Sequence, residues 1–438
     1  MKTIQFIHGI TYEELPETIQ HQARRLLLDT IGAGVGGYRT TLSRIIKDHA
    51  AACFGGDKSL LWLDGRGVSP PGAALANGMT IDSLDIHDGH VLTKGHAGAA
   101  VVPAVLATFA LKEKISGKEL LTSLVVGYEI ALRAGIALHK TAPDYHTSGA
   151  WNALGCAAVV ARRLSLSQNQ TRHALGIAEY HGPRSQMMRC IDYPTMLKDG
   201  SGWGAMAGVS AGLLAASDFT GAPAVTLEDD AVADIWNDIG HVWQTMKQYI
   251  KPYAVCRWAQ PTVEGIVSLR NKHGISFQNV ARIKTETFHQ AARLASRKPE
   301  TTEEAQYSLP FPAAVAMKHG TITALELSGD ALSDPDVLRL SESMEISENH
   351  DFNNAFPEKR FARVIIETTS GDTYDSGPVE AKWNAEDPPD DLSLQNKFKS
   401  VCRGILPEER TQNLFDAVWN LPVHDDPSCI VSSLSKKP

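Results

Sequence analysis

The chain of 438 residues has few cysteines and no C-x-x-C pair. The six cysteines are widely separated, at positions 53, 156, 190, 256, 402 and 429. This spacing is too sparse for a disulfide scaffold, and it does not fit a zinc ribbon, whose ligands come in close pairs. We therefore expect reduced thiols and a cytoplasmic location.

Cationic excess and long apolar runs are also missing. The net charge of -8 gives no reason to expect binding to nucleic acid or to an anionic membrane surface. Residues 1–14 contain no apolar h-region, and no run of about 18 apolar residues occurs, so neither a signal peptide nor a membrane span is expected. The length instead suits an enzyme of two or three domains with a sizeable buried core.

Small-residue helices are predicted over the first two-thirds of the chain. Apolar residues at helical spacing predict a helix over 17–33, which runs into the glycine-rich segment 32–37. That segment follows a helix and lacks the G-x-G-x-x-G order, so close helix packing is favoured over a nucleotide loop. Further helices are predicted over 72–88, 97–115, 117–138, 148–164, 167–180 and 202–217. Together they predict a helical bundle with a buried centre.

The pattern changes near residue 271. Segments 280–287 and 361–369 alternate and carry β-branched residues, and a hairpin turn is predicted at Ser370-Gly371-Asp372. Helices are predicted between these strands, over 310–317 and 333–340, and again over 392–421. The fold class is therefore mainly α, with a large all-helical domain from residues 1–268 and 392–438 and an inserted smaller α+β lid domain over 269–391.

The densest polar cluster lies between residues 82 and 96. A helix ending near Asp88 would place Asp82 and Asp85 on one face, and His96 and Lys94 would precede the next helix, whose N-terminal amides favour an anion. Three interpretations remain open: a metal site, because 85–90 faintly resembles a metallohydrolase pattern; plain surface polarity; and an acid/base site. The acid/base interpretation leads, because a carboxylate, a histidine and a lysine together offer proton transfer and carboxylate binding.

Three further polar segments are weaker signals. His146 lies in a loop before a helix and could be an ordinary loop residue, and Lys198 alone is more often a solvated lysine. Cys256, next to Arg257, is a poor nucleophile candidate because no histidine lies close to it in sequence.

In their order along the chain, these segments resemble the MmgE/PrpD family. The similarity is carried by the following motifs: Leu28-Asp-Thr-Ile-Gly32, Asn77-Gly78, Asp85, Gly95-His96, His146 with Ser148-Gly149, Lys198, residues 208–215, Lys251-Pro-Tyr253 and residues 304–310. The resemblance implies a helical domain built from both chain ends, an α+β lid, a homodimer, and an active site between the domains without cofactor or metal.

The resemblance also implies which residues act on a small di- or tricarboxylate. The catalytic candidates are Asp85, His96, His146 and Lys198. The substrate-binding candidates are Lys94, His90, Tyr145 and Arg257. We expect a histidine to transfer the proton, cations to hold carboxylates, and Asp85 to orient a histidine or tune its pKa.

Two departures from the family pattern bear on the reaction. Many relatives carry a histidine shortly after the equivalent of Lys251-Pro-Tyr253, where this chain has Trp258-Ala-Gln-Pro261. His87, His90 and Lys94 also depart from the usual pattern. The leading hypothesis is a hydro-lyase that dehydrates a hydroxy acid. An epimerase of an amino- or imino-dicarboxylate, a cis-aconitate-type decarboxylase and a catalytically silent carboxylate-binding protein are the alternatives.

Overall fold

A computed structural model describes residues 2–112 and 115–438, of which most are helical. Helices account for 59% of the chain and strands for 9%, which confirms the mainly α class. The helices of the first half are α1 (Lys2–Gly9), α2 (Glu17–Gly37), α3 (Thr41–Cys53), α4 (Pro70–Asp82), α5 (Gly98–Ala107), α6 (Gly117–Thr141), α7 (Ser148–Leu164), α8 (Gln168–His181), α9 (Met188–Asp192) and α10 (Ser201–Ala216).

The second half adds shorter helices. They are α11 (Val225–Glu228), α12 (Ala233–Trp236), α13 (Gln260–His273), α14 (His289–Ala292), α15 (Thr302–Gln306), α16 (Pro310–His319), α17 (Pro335–Ser343), α18 (His350–Ala355), α19 (Asp391–Cys402), α20 (Glu408–Trp419) and α21 (Ser428–Ser435). Helix α19 packs against α2, so the C-terminal segment returns to the first helices as predicted.

Small residues allow the central helices to pack closely. A Cβ atom at Gly208 of α10 would lie 2.3 Å from the carbonyl oxygen of Ala153 in α7, and one at Gly37 of α2 would lie 2.0 Å from that of Thr80 in α4. Both distances are too short for any side chain larger than hydrogen. The glycine-rich segment 32–37 lies inside α2 rather than in a phosphate-binding loop. The predicted packing role of the glycines is therefore confirmed.

Helix α6 is the most apolar long helix among the residues described. By length and hydropathy it could cross a membrane, although the sequence analysis expected no such helix. In the structure, 94% of its apolar window is buried inside the protein. Neighbouring helices therefore cover the surface that a lipid would otherwise contact, as expected for a core helix.

Strands form three small sheets. The strands are β1 (Ser59–Leu60), β2 (Gly67–Val68), β3 (Gly89–His90), β4 (Gln248–Tyr249), β5 (Val280–Thr287), β6 (Glu345–Glu348), β7 (Phe361–Thr368) and β8 (Thr373–Glu380). The largest sheet has the order β6-β5-β7-β8, with β5 parallel to β6 and antiparallel to β7. The predicted strands β5 and β7 and the turn at residues 370–372 are confirmed. The pair β3–β4 was not predicted, and it joins the polar cluster to a distant segment.

Two predicted helices end earlier than expected. The helix predicted over 72–88 ends at Asp82, so the expectation that Asp82 and Asp85 share a helix face is wrong. Gly89 and His90 pair with β4, which draws this segment out of the helix. The helix predicted over 97–115 ends at Ala107, and a 3-10 turn follows at Phe109–Leu111. Residues 113 and 114 of that prediction lie outside the described part of the chain.

Candidate active site

The loop between α4 and α5 has an unusual backbone. Asp85 and Lys94 in this loop, and Lys198 before α10, all have positive φ angles, at 52°, 52° and 51°. Such angles are uncommon for residues other than glycine and persist where the surroundings fix them. The three residues are all among the sequence-based site candidates, and all three are buried. The strain therefore coincides with the predicted site.

Asp85 forms a buried ion pair with Lys251. The Lys251 ammonium lies 2.7 Å from Asp85 Oδ1 and also donates to the Asp85 carbonyl oxygen at 2.9 Å. Burial opposes a charge on Lys251, but the fields of Asp85, Tyr249 and Cys256 outweigh it and raise the pKa of Lys251. The lysine is therefore held as a cation beside the carboxylate.

His96 lies next to this pair with one ring nitrogen already engaged. Its Nδ1 is 2.5 Å from the carbonyl oxygen of Asp88, and its Nε2 is 3.8 Å from Asp85 Oδ1. Because a carbonyl can only accept, Nδ1 carries the proton and Nε2 has a free lone pair. Burial, followed by the positive fields of Lys251 and His87, lowers the pKa of His96 well below 6.5. His96 is thus a neutral imidazole whose Nε2 can accept a proton.

His87 and Asp82 form a second buried pair beside His96. His87 Nε2 lies 3.1 Å from Asp82 Oδ1, and the rings of His87 and His96 meet edge to face with centroids 4.5 Å apart. Burial raises the pKa of Asp82, but the hydrogen bond and charge of His87, with the fields of Lys198 and Lys251, outweigh it and lower that pKa. The carboxylate of Asp82 therefore remains ionised.

One oxygen or nitrogen from each of Asp82, Asp85 and His87 lies within 4.8 Å of the others, a geometry that could hold a metal ion. The Lys251 ammonium already neutralises Asp85, and His87 is hydrogen-bonded to Asp82. A metal would have to displace the ammonium and break that hydrogen bond. The donor set therefore fits a proton-transfer site better than a metal centre.

Ser148 and Asp199 support the backbone of His96. Ser148 Oγ accepts a hydrogen bond from the His96 amide at 2.8 Å and donates to Asp199 Oδ2. Asn152 adds a bond from its Nδ2 to the His96 carbonyl oxygen at 2.8 Å. Burial, together with the field of Asp82, raises the pKa of Asp199 to about 7. The start of α7 thus fixes His96 through both of its peptide groups.

Lys198 is buried and not solvated, contrary to the general expectation for a lone lysine. Its Nζ donates to Gln306 Oε1 and lies 4.8 Å from the ring centroid of Tyr307. Gln306 in turn donates to the carbonyl oxygen of Ser83 at 3.0 Å. The chain after α15 therefore connects Lys198 to the loop that carries Asp85.

His146 and Tyr145 belong to a neighbouring group. The His146 ring stacks on His139 with centroids 6.5 Å apart, and the Lys94 ammonium lies 3.9 Å from the Tyr145 ring centroid. Within residues 2–112 and 115–438, no hydrogen bond or ring contact joins His146 to His96 or Lys198. The structure thus brings Asp85, His96 and Lys198 into one buried region and places His146 at its edge.

Arg257 is held by neighbouring side chains and carbonyl groups. Its guanidinium donates to Gln260 Oε1 at 2.8 Å, to Asn384 Oδ1 at 2.5 Å and to the carbonyl oxygen of Lys382 at 3.0 Å. Gln260 stands in the segment where many relatives have a histidine, and its amide donates to the carbonyl oxygens of Tyr253 and Val255. At this position the chain has a structural amide that holds the 251–258 loop.

His90 and Cys256 are poor proton-transfer groups. Burial and the positive field of Lys247 lower the pKa of His90 to about 3. Burial and the field of Asp85 raise the pKa of Cys256 to about 12, so its thiol stays protonated. His90 instead forms part of the β3–β4 pair and lines a cavity beside the site.

Sequence reasoning did not select several residues that complete this site. Lys251 and Tyr307 lie within quoted family motifs, and Asp82 and His87 lie within the polar cluster, but Asp199 and Gln306 carried no signal of their own. Their contacts cross large sequence separations, such as the 166 positions between Asp85 and Lys251. A single sequence contains no measure of such proximity.

Known proteins resemble this chain over most of its length. Cis-aconitate decarboxylase-like protein oryM of Aspergillus oryzae is 22% identical over 96% of this chain and 94% of its own length. Cis-aconitate decarboxylase of Mus musculus is 23% identical over 99% and 92%. The mitochondrial 2-methylcitrate dehydratase of Yarrowia lipolytica is 27% identical over 33% and 30%.

Family models agree with the ordered motifs. Residues 2–238 match the MmgE/PrpD N-terminal domain, and residues 253–421 match the MmgE/PrpD C-terminal domain. Since these two matches cover most of the sequence, the chain belongs to the MmgE/PrpD family.

Proposed function

We propose that this protein is a cofactor-independent lyase that dehydrates a small hydroxy di- or tricarboxylic acid. The observation that carries the proposal is His96, a buried neutral imidazole with its Nε2 lone pair free beside two buried lysines. Dehydration next to a carboxylate begins with removal of a proton from carbon, which requires such a base. A decarboxylase needs the reverse, a group that delivers a proton to carbon.

The other groups fit the remaining parts of an elimination. His96 Nε2 takes the proton from the carbon next to a carboxylate, the released electron pair forms the C=C bond, and the β-carbon–oxygen bond breaks. Lys198 gives a proton to the departing hydroxide, which leaves as water. Lys251 stabilises the negative charge that develops on the carboxylate during proton removal. Asp85 keeps Lys251 positioned and charged.

Decarboxylation is the second candidate. It is supported by relatives named cis-aconitate decarboxylase that align with 94–99% of this chain. Low identity, at 22–23%, and Gln260 in the segment where many relatives have a histidine weaken the transfer of that activity. We therefore retain decarboxylation as an outcome to be tested.

The arrangement of the chain is part of the proposal. We propose that residues 269–391 form a lid on the helical domain from residues 1–268 and 392–438, that the protein is a cytoplasmic homodimer, and that its partner molecule is a small carboxylate. The Arg257 contacts with Lys382 and Asn384, which connect the 251–258 loop to the proposed lid, support a site at the junction of the two domains.

Proton NMR in D2O tests the reaction directly. The purified protein is incubated separately with methylcitrate, citrate, cis-aconitate, tartrate, aspartate and iminodisuccinate. New vinyl signals from a hydroxy acid support dehydration. Loss of CO2 from cis-aconitate moves the assignment to a decarboxylase, and exchange of an α-proton without loss of mass moves it to an epimerase. Silence across the panel contradicts all three reactions and favours a carboxylate-binding protein.

A further inference from the structure

A cavity of about 210 Å³ lies beside the loop that carries His96. On one side it is lined by His90, Val91 and Leu92, which directly follow and include part of β3, and on the other by Arg360, just before β7. This volume is below the roughly 300–1,000 Å³ typical of drug-sized ligand pockets. A small organic acid suits it better than a nucleotide or a peptide.

Arg360 is a buried cation with unused hydrogen-bond capacity. It is 7% exposed, and its Nη2 donates to the carbonyl oxygen of Val91 at 3.3 Å, while its Nε is buried without a hydrogen-bond partner. A guanidinium has five N–H donors, and leaving them unsatisfied in a buried position is costly. The side chain is therefore short of acceptors.

Nearby acidic groups do not neutralise Arg360. Among the residues described, no carboxylate oxygen lies within 4.0 Å of its guanidinium nitrogens. Glu380 pairs with Lys359 at 3.0 Å, and the cavity-lining residues Glu358 and Glu386 are exposed. A buried arginine without a counter-ion is unfavourable, and an anionic ligand would supply the missing charge.

The second arginine of this cavity differs from Arg360. Both guanidinium groups lie over the ring of Tyr249, with Arg257 at 4.6 Å and Arg360 at 5.7 Å from the centroid. Arg257 is hydrogen-bonded to Gln260, Asn384 and backbone carbonyl groups. Arg360 is thus the cation with donors left for a ligand.

The cavity is connected to the catalytic loop. Arg360 contacts the carbonyl oxygen of Val91, and the amide of His90 donates to the carbonyl oxygen of Gly95, the residue before His96. The positive charge of Arg360 also contributes to the lowered pKa of His96. A single small acid could therefore place one carboxylate near Lys251 and another near Arg360.

We propose that Arg360 binds a second carboxylate of the substrate, remote from the carbon that His96 deprotonates. This inference rests on the proposed lyase function and narrows it to acids with at least two carboxylates. A guanidinium can form two parallel hydrogen bonds to one carboxylate, which suits recognition rather than proton transfer. Arg360 is accordingly a specificity-determining residue.

Binding and turnover are measured together for wild type, Arg360→Gln, Arg360→Lys and the control Lys359→Gln. Lys359 lines the same cavity but is exposed and paired with Glu380. The binding probe is tricarballylate, which has three carboxylates and no hydroxyl to eliminate, titrated by calorimetry. Turnover is measured on citrate, malate and 3-hydroxybutyrate, which carry three, two and one carboxylate.

We expect Arg360→Gln to weaken tricarballylate binding and raise the KM of citrate by about 10- to 100-fold, with kcat little changed. Arg360→Lys should recover part of the loss, because the charge remains without the planar fork. Lys359→Gln should stay within about twofold of wild type, because exposed ion pairs contribute little. Any turnover of 3-hydroxybutyrate should be unaffected by Arg360→Gln.

The outcomes separate this proposal from the function on which it rests. Tricarballylate binding to Arg360→Gln as tight as to wild type overturns the role of Arg360 and leaves the lyase assignment intact. Binding that depends on Arg360 in a protein without turnover on any acid supports the anion site and contradicts the lyase. Absence of both binding and turnover in wild type overturns both. If Arg360→Gln does not fold, the comparison of Arg360→Lys with wild type decides.

Discussion

The ammonium of Lys251 binds Asp85 twice, through the carboxylate at 2.7 Å and through the residue's own carbonyl oxygen at 2.9 Å. Asp85 has a positive φ angle of 52°, which a side chain other than hydrogen disfavours. One buried cation therefore fixes both the charge and the strained backbone of this residue. The shape of the catalytic loop and the electrostatics of the site depend on the same contact.

Removal of either partner should destabilise the protein strongly. Lys251→Met leaves the buried Asp85 without a counter-ion, and Asp85→Asn leaves a buried ammonium, so each should cost about 3–5 kcal/mol in the free energy of unfolding. The double variant should lose less than the sum of the two, because no lone charge remains. Urea unfolding measures the three values. Additive losses would show that the two side chains do not stabilise each other.

His96 should be the more important of the two candidate histidines. His96→Ala removes the free Nε2 lone pair, and we expect kcat to fall by about 10²- to 10⁴-fold with an unchanged circular dichroism spectrum. His146→Ala should have a smaller effect, because His146 lies at the edge of the site against His139. His49→Ala, at an exposed position in α3, is the control. Full turnover in both His96→Ala and His146→Ala would refute the proton-transfer scheme.

The elements that sequence reasoning predicted well are those whose signals are local. Helix α7 follows its apolar pattern and begins and ends where predicted, over Ser148–Leu164, and the turn after β7 follows from the Ser-Gly-Asp sequence. The end of α4 was predicted six residues too late. The segment after Asp82 is drawn out of the helix by pairing with Gln248–Tyr249, more than 150 positions away, which no local pattern reveals.

The candidate site was partly predictable for the same reason. Asp85, His96 and Lys198 stand in recognisable motifs, and the structure places them together in one buried region. The burial of Lys198 and its bond to Gln306 result from tertiary packing between segments 108 positions apart. The role of Gln260 was equally hidden, since the sequence shows a missing histidine but not the backbone carbonyls that the amide binds.

Activity should not depend on a divalent metal. Asp82, Asp85 and His87 have the spacing of a metal site, but Lys251 already neutralises Asp85. We expect turnover to remain unchanged after dialysis against EDTA, and unchanged again on addition of Mg²⁺ or Zn²⁺ at micromolar concentration. Metal analysis of the dialysed protein is the control. Activity that is lost with EDTA and restored by one of these ions would make the three residues metal ligands.

Asp199 should make the protein less stable as pH rises from about 4 to 7. Burial and the field of Asp82 raise the pKa of Asp199 from 3.8 to about 7 in the folded chain. Between these values the folded chain holds a proton that the unfolded chain has released, so the free energy of unfolding falls with pH, by at most about 1.4 kcal/mol per pH unit. The contribution is complete below pH 3.8 and is lost as pH rises through about 7.

Asp199→Asn isolates this effect, because an amide does not titrate and its oxygen can still accept the Ser148 hydroxyl. Urea unfolding at several pH values between 4 and 7 should show the variant gaining stability relative to wild type as pH rises. Asp88, whose pKa burial raises to about 6, has the same sign in both proteins and cancels from the difference. The exposed Asp57→Asn is the control and should follow wild type. Parallel profiles for wild type and Asp199→Asn would mean that Asp199 is ionised in the folded protein across this range, and that Ser148 donates to a carboxylate rather than to a carboxylic acid beneath His96.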